Sequence, residues 1–282
     1  MNITAQMVKE LRDKTGAGMM DAKKALVEVD GDMEKAAEIL RQKGIASAEK
    51  KMGRIAAEGR VESYIGDDCG AMIEINCETD FVAKNEEFKT LVSNMAKHVA
   101  EMNPASVEAF MGSTCPSCGK TIEEALKGKI ASIGEKITVR RFVRYEGNVA
   151  TYIHNGKIGV LLSTDKNDAE LMNDICLHIA SCAPKFVSRA EIPQEVIDEE
   201  TRIEMGKEDL LKKPENIRAK IVEGRVNKIM AERCLLEQPF VKDPNQTIAQ
   251  LIEGKLEIKA FTRYELGEGL EKRQDNFAEE VM

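Results

Sequence analysis

No run of apolar residues in this chain approaches the length that crosses a bilayer. The opening Met-Asn-Ile-Thr-Ala-Gln lacks the basic and apolar regions of a signal peptide. Histidine is scarce, at His98, His154 and His178 only. His98 and His178 fall on helical patterns, where a packing or solvent-facing role is the default. No serine or cysteine nucleophile near His154 carries a recognisable motif. Cations are in deficit, 41 Lys and Arg against 49 Asp and Glu, for a net charge of −8. That balance disfavours direct nucleic-acid binding, which needs clustered cations to neutralise phosphates. Two basic clusters exist, Lys50, Lys51 and Arg54, then Arg140, Arg141 and Arg144; the second lies on a strand pattern and reads as a solvated face. Seven cysteines are an odd count without framework spacing, so reduced thiols in a cytoplasmic protein are expected, with no membrane contact. The carboxylates are scattered over charged helix faces. No catalytic constellation emerges, and no cofactor or metal is called for.

What the chain does carry is length and pattern. At 282 residues it is long enough for two or three units. Residues 4–43 hold three short helical patterns: Met7, Val8, Leu11; then Met20, Ala22, Ala25, Leu26, Val29; then Met33, Ala36, Ala37, Leu40 behind an Asp32 cap. They predict a small three-helix bundle, with residues 44–53 as a charged linker. Gly16-Ala17-Gly18 follows a helix rather than a strand, so it reads as a helix–helix turn and not a phosphate loop.

Residues 73–85 form the centre of the pattern. Ile73 and Ile75 alternate with Glu74 and Asn76, the period of a half-buried strand. Phe88, Leu91, Val92, Met95 and Val99 then mark one face of a helix that begins past Asn85. Between them lies a short loop, Thr79-Asp80-Phe81-Val82, with two apolar side chains that a solvated turn does not need. Spacing alone favours core packing for Phe81 and Val82 over a partner-binding wedge.

The chain also repeats. Glu58-Gly59-Arg60-Val61-Glu62-Ser63-Tyr64-Ile65 recurs as Glu146-Gly147-Asn148-Val149-Ala150-Thr151-Tyr152-Ile153. Each copy continues with a second strand, a helix and a closing strand, Arg141-Phe142-Val143-Arg144-Tyr145-Glu146 matching Ala260-Phe261-Thr262-Arg263-Tyr264-Glu265. The expected fold class is α+β: an N-terminal three-helix bundle, then two duplicated α+β subdomains with small antiparallel sheets. Where the first copy has Thr79-Asp80-Phe81-Val82, the second has the polar Thr164-Asp165-Lys166-Asn167. A side chain required by the fold itself would be needed twice.

Inside the second copy, residues 193–213 and 214–233 read as two charged helices, each with a proline near its first turn. Narrow seams, Ile197, Ile203 and Leu210 on one and Ile217, Ile221, Val222, Val226 and Ile229 on the other, predict a projecting antiparallel hairpin. It serves either its own subdomain or oligomerisation. The expected divisions are 1–55, 56–146, 147–266 with the hairpin at 193–234, and a C-terminal module at 267–282 with an amphipathic segment at 270–281.

Cys115-Pro116-Ser117-Cys118 is the sharpest chemical signal. Such a pair can lower a thiol pKa for redox exchange or supply half of a tetrahedral zinc site. It lies between helical stretches, without the βαβ setting of a redox motif, and no second pair or spaced histidines complete a zinc site. A non-catalytic loop is the favoured reading; a thiol-redox or zinc-binding adaptor built on Cys115 and Cys118 is the alternative function. Gly119-Lys120-Thr121 lacks the glycine five positions earlier that a phosphate loop needs, which argues against nucleotide hydrolysis.

Thr79-Asp80-Phe81-Val82-Ala83-Lys84-Asn85 after Asn76-Cys77-Glu78 resembles the signature of the bacterial elongation factor Ts family. So do Leu11-Arg12, Thr15-Gly16-Ala17-Gly18-Met19-Met20-Asp21, Lys23-Lys24-Ala25-Leu26, Ile133-Gly134-Glu135, Gln238-Pro239-Phe240-Val241 and Gly267-Glu268-Gly269-Leu270-Glu271-Lys272. The resemblance implies a guanine-nucleotide exchange factor of elongation factor Tu, without covalent catalysis. It implies a ubiquitin-associated-like N-terminal bundle docking through Met19, Met20 and Lys23. It assigns Thr79, Asp80, Phe81 and Val82 to the partner's magnesium region, and further contacts to Ile133, Gly134, His154 and Val241. The hairpin matches a dimerising coiled-coil region, which implies a homodimer, and the C-terminal segment matches a module that packs on the partner. Lys242 departs from an apolar family position, and the cysteine pair lies in a variable region.

Overall fold

A computed structural model of the chain describes residues 3–116, 118–211 and 214–271. Most of the sequence-predicted segment at 270–281 therefore lies outside the described residues. The fold is mixed α+β with small sheets, as the repeat implies.

Three helices open it: α1 (Ala5–Thr15), α2 (Met19–Glu28) and α3 (Met33–Lys51). Thr4 caps α1 by accepting from the Met7 amide, and Asp32 caps α3 by accepting from the Glu34 and Lys35 amides. Val8, Leu11, Ala22, Ala25, Leu26, Ala36 and Leu40 form their shared core. The expected linker over 44–53 is instead mostly helix. Half-buried Ile45 and buried Ala48 keep the helical period going, and α3 packs along α7 (Ile122–Ile133). Gly44 permits close approach there: a Cβ on it would lie 3.0 Å from the Ala131 Cβ. Lys51 Nζ reaches the Ile130 carbonyl at 3.4 Å.

Both copies of the repeat build a three-stranded sheet in which the closing strand pairs beside the second. The first has the order β1 (Glu58–Ile65), β2 (Cys69–Cys77), β3 (Ile137–Glu146). The second has β4 (Asn148–His154), β5 (Ile158–Thr164), β8 (Ile258–Glu265). By internal packing the chain falls into two compact units. One holds the described residues up to Glu62, Ile73–Val143 and those from Glu265; the other holds Ser63–Met72 and Arg144–Tyr264.

In the first unit, α5 (Glu86–Met102) buries Phe88, Val92, Met95, Ala96 and Val99, matching the predicted face except at half-buried Leu91. The half-buried strand expected at 73–76 is fully buried. Glu74 has no exposed surface and Asn76 almost none. Burial of a carboxylate demands compensation. One Glu74 oxygen accepts from Arg140 (2.8 Å), the Gly267 amide (2.9 Å) and Asn76 (3.3 Å), while the other accepts from Arg141 (2.6 Å). Arg140 and Arg141 also bond the backbone carbonyls of Glu268 and Glu265. These two arginines are thus not the solvated face expected of them. Burial alone would raise the Glu74 carboxyl; the Gly267 amide and the two guanidiniums outweigh it and hold it below its ordinary value.

In the second unit, α8 (Ala169–Cys182) lays Leu171, Met172, Ile175, Cys176 and Ile179 into one core with Val160 and Leu162 of β5. Phe240 of the short β6 (Pro239–Phe240), paired with β7 (Asp243–Thr247), closes that core with Ile248 and Ile252 of α12 (Ile248–Ile252). His178 is fully buried in this unit, and its partners fix its tautomer. Gln238 Nε2 donates to the Glu232 carbonyl (2.6 Å), so Gln238 Oε1 faces His178 Nε2–H (2.8 Å). His178 Nδ1 then accepts from the Val241 amide (3.2 Å).

The expected hairpin forms with a break. Its first half is α9 (Gln194–Met205) and α10 (Glu208–Leu211), interrupted at Gly206, and its second is α11 (Glu215–Arg233). Pro193 and Pro214 sit at N-caps rather than inside the first turn. Leu210, Val222, Val226 and Met230 are buried against Ile192 and Cys234, with half-buried Ile197, Ile221 and Ile229 beside them. Ile203 and Ile217, read as seam residues, are exposed. Arg225 pairs with Glu204 and Asp209, and Arg233 with Glu200, an antiparallel sequence of contacts.

Two outcomes follow. Glu74→Gln leaves two guanidiniums and the Gly267 amide facing a neutral group, and lowers unfolding free energy by about 3–5 kcal/mol, read from urea denaturation. Burial lowers the His178 pKa from the ordinary 6.5, more than the Gln238 bond raises it. The native state therefore binds a proton less readily than the unfolded chain. The stability His178 contributes is present above pH 6.5 and is lost as pH falls below it. An NMR titration of the ring is expected to place its midpoint below 6.5.

A pinned corner with an exposed aromatic ring

The residues between β2 and α5 are not the loop the pattern suggested. Residues Asp80–Lys84 form a single helical turn, α4, capped by Thr79, whose hydroxyl oxygen accepts from the Val82 amide (3.3 Å). Asn85 closes this turn and caps the next, accepting from the Glu87 amide (2.7 Å). A helix made of so few residues buries little, and none of its residues is buried. Phe81 is 81% exposed and Val82 half-buried, so the core packing favoured by spacing does not hold for the ring. In the second copy, the residues between Thr164 and Ala169 form no such turn, and the Thr164 hydroxyl bonds the Lys166 carbonyl instead (2.8 Å).

The base of the corner is held by one carboxylate from elsewhere in the first unit. Glu135, just past the Gly134 cap of α7, takes three donors: the Thr79 hydroxyl (2.6 Å), the Thr79 amide (3.0 Å) and the Glu78 amide (3.1 Å). Glu78 answers by accepting from the Lys136 amide (2.6 Å) and from Arg54 (3.2 Å), while Lys136 Nζ bonds the Arg54 carbonyl (2.8 Å). The buried Cys77 thiol donates to the Thr79 carbonyl (3.2 Å). Burial, then the Glu135 charge, push that thiol up to about 12, so it stays protonated as a donor. On the outer side, Asp80 and Lys84 form an exposed ion pair at 2.6 Å, whose hydrogen bond lowers the Asp80 pKa and raises that of Lys84. A pair of this kind adds little stability and leaves the carboxylate accessible.

Of the other sequence-predicted residues, Ile133 and Gly134 lie directly before Glu135, which ties them to the corner. Met19, Met20 and Lys23 are exposed on α2, where Met19 and Met20 retain 44% and 64% of their surface. His154 and Val241 belong to the second unit. His154 ends β4 at an exposed turn, its ring between Tyr152 (3.0 Å) and Asn155 (3.2 Å). Val241 is exposed between β6 and β7, its amide bound to His178. Sequence reading missed Glu135, Glu78 and Arg54 as site residues. Their partners lie far away along the chain, and the signals were the occurrence of Glu78 and of Ile133-Gly134-Glu135 in the family pattern and of Arg54 in a basic cluster, none of which says that they meet.

Among the described residues no group of three or more His, Cys, Asp or Glu is arranged to hold a metal ion, and no helix is long and apolar enough to cross a membrane. The family model described as elongation factor TS matches residues 78–268. The chain is 48% identical over 289 residues to elongation factor Ts of Thioalkalivibrio sulfidiphilus, covering all of this chain and 98% of the relative. It is 46% identical over 288 residues to elongation factor Ts of Alkalilimnicola ehrlichii, with the same coverage. The corner, its carboxylate pin, β3 and the whole second sheet lie within the matched span, and β1 and β2 precede it. Both relatives align over the full chain, and the chain belongs to the elongation factor Ts family.

Proposed function

We propose that this chain is a translation elongation factor that releases GDP from elongation factor Tu by driving the Phe81 ring into that partner near its magnesium and phosphate site. The observation that carries this reading is an aromatic ring left 81% exposed on a one-turn helix whose base is tied down by three hydrogen bonds to Glu135. An apolar ring in water is a standing source of binding energy, and burying it contributes about 1.5–3 kcal/mol. That energy is released only when the partner opens a place for the ring. Binding therefore favours a partner conformation with weaker nucleotide contacts. Linkage makes the effect reciprocal, so GDP weakens the exchange factor by the same factor, and incoming GTP completes the cycle.

In this reading Thr79 and Val82 shape the wedge, and Asp80 brings its carboxylate toward the magnesium region. Met19, Met20 and Lys23 dock the bundle, and Ile133, Gly134, His154 and Val241 add contacts. The chain makes and breaks no covalent bond, works in the cytoplasm, and touches neither nucleic acid nor membrane. The hairpin of α9 to α11 is the proposed route to a homodimer.

The test is stimulated release of a fluorescent GDP analogue from elongation factor Tu. Phe81→Ala is expected to slow release about ten- to a hundredfold, the kinetic equivalent of the buried ring, with an unchanged melting temperature because the ring is exposed. Normal stimulation by the folded variant would refute the wedge. Glu135→Ala is expected to slow release as well, and to do so by loosening the corner. Its signature is faster hydrogen exchange at the Glu78 and Thr79 amides, which Phe81→Ala leaves protected.

A further inference from the structure

Nothing in the exchange reading uses Cys115 and Cys118. They sit in a tight turn between α6 (Val107–Gly112) and α7, closed at its base by a bridge between Thr114 and Thr121. The Cys115 amide donates to the Lys120 carbonyl (2.7 Å), and the Cys115 carbonyl accepts from the Gly119 (3.0 Å) and Cys118 (3.3 Å) amides. Gly119 has φ +68, with nothing within 4 Å of where a Cβ would stand. Glycine is there for its left-handed backbone alone, which turns the chain back on itself. The result presents the two thiols side by side in hydrogen-bond contact, with the Lys120 amide aimed at the Cys118 sulfur. Cys118 is exposed and Cys115 half-buried.

This is the donor set of half a structural zinc site: two soft sulfur ligands presented by one turn. The other half is not supplied nearby, since no group of three ligating side chains occurs among the described residues. Cys77, Cys176 and Cys234 are buried in the body of the fold. A closed structural zinc site has four ligands, so two must come from another molecule. A second copy of the chain offers the same pair, on the same exposed turn, related by a two-fold axis.

The geometry points to a Zn²⁺ site shared between two copies of this chain, in which Cys115 and Cys118 of each copy complete one tetrahedral tetrathiolate. Four thiols lose their protons to solvent as the ion binds, leaving a net charge of −2 on the centre. The Lys120 ammonium of each copy, whose charge reaches Cys118, offsets that charge. No electron is transferred and no oxidant is needed.

The full chain, purified under reducing conditions, loaded with ZnCl₂ and dialysed against metal-free buffer, is expected to retain about one zinc per two chains and, in light scattering, to double the mass it shows without metal. Chelation is expected to return the mass of the metal-free chain. Loading with Co²⁺ in place of zinc is expected to give the intense charge-transfer and d–d bands of a tetrahedral tetrathiolate. Cys115→Ser and Cys118→Ser are each expected to abolish metal retention, zinc-dependent dimerisation and the cobalt spectrum. Cys182→Ser, at another exposed thiol, is expected to leave all three intact. One zinc per chain, no retained zinc, or a zinc-dependent rise in mass that survives both serine variants overturns the shared site.

Discussion

A carboxylate with no exposed surface sits in the middle of the most deeply buried strand of the first unit, and the surrounding structure is arranged to satisfy it. Glu74 gathers two guanidiniums from β3 and the Gly267 amide, so a single charge joins two strands of the sheet to a segment far along the chain. A buried ion set of this kind does not stabilise more than apolar packing would. What it supplies is register, because only one alignment of β2 with β3 brings both arginines to the carboxylate. β2 is thereby a fixed platform, and the corner that follows it inherits that fixity.

From that platform a second carboxylate positions the candidate site. Glu135 reaches the corner from the end of α7 and takes three donors from Glu78 and Thr79, fixing the entry to α4 while the ring on that turn stays exposed. The division of labour is physical. Charge-assisted hydrogen bonds fix the base, where precision matters, and an apolar group faces solvent, where it has no partner within its own turn. The second repeat shows that the fold does not require this arrangement, since its polar turn at 165–168 carries the strand into α8 without a helix between.

Much of this was legible in the sequence, and the misreadings share a cause. The Asp32 cap, the helix start at Asn85, the duplicated sheets and the apolar face of α5 are local signals, and local chemistry decided them. Gly44 looked like a break because helix propensity penalises glycine; it is a contact point because α7 packs against it. Glu74 and Asn76 looked solvent-facing because alternation assumes one wet face, whereas paired arginines supplied the partners of Glu74, and the Glu58 carbonyl and Glu74 itself those of Asn76. Gly206 ended a helix that the seam residues suggested would continue. The exposure of Phe81 was foreshadowed only by comparing the two repeats. Glu135, Glu78 and Arg54 were invisible as a cluster, because their bonds span stretches of chain that no spacing rule reads.

Asn85 has a further mechanical meaning. It ends α4 and begins α5 with its own backbone outside the helical range, at ψ 136, so no continuous amide ladder runs from one helix into the other. The turn that carries the ring is therefore offset from the axis of α5, and its bracing comes from the Glu135 carboxylate past the end of α7, a short lever with its fulcrum at one side chain.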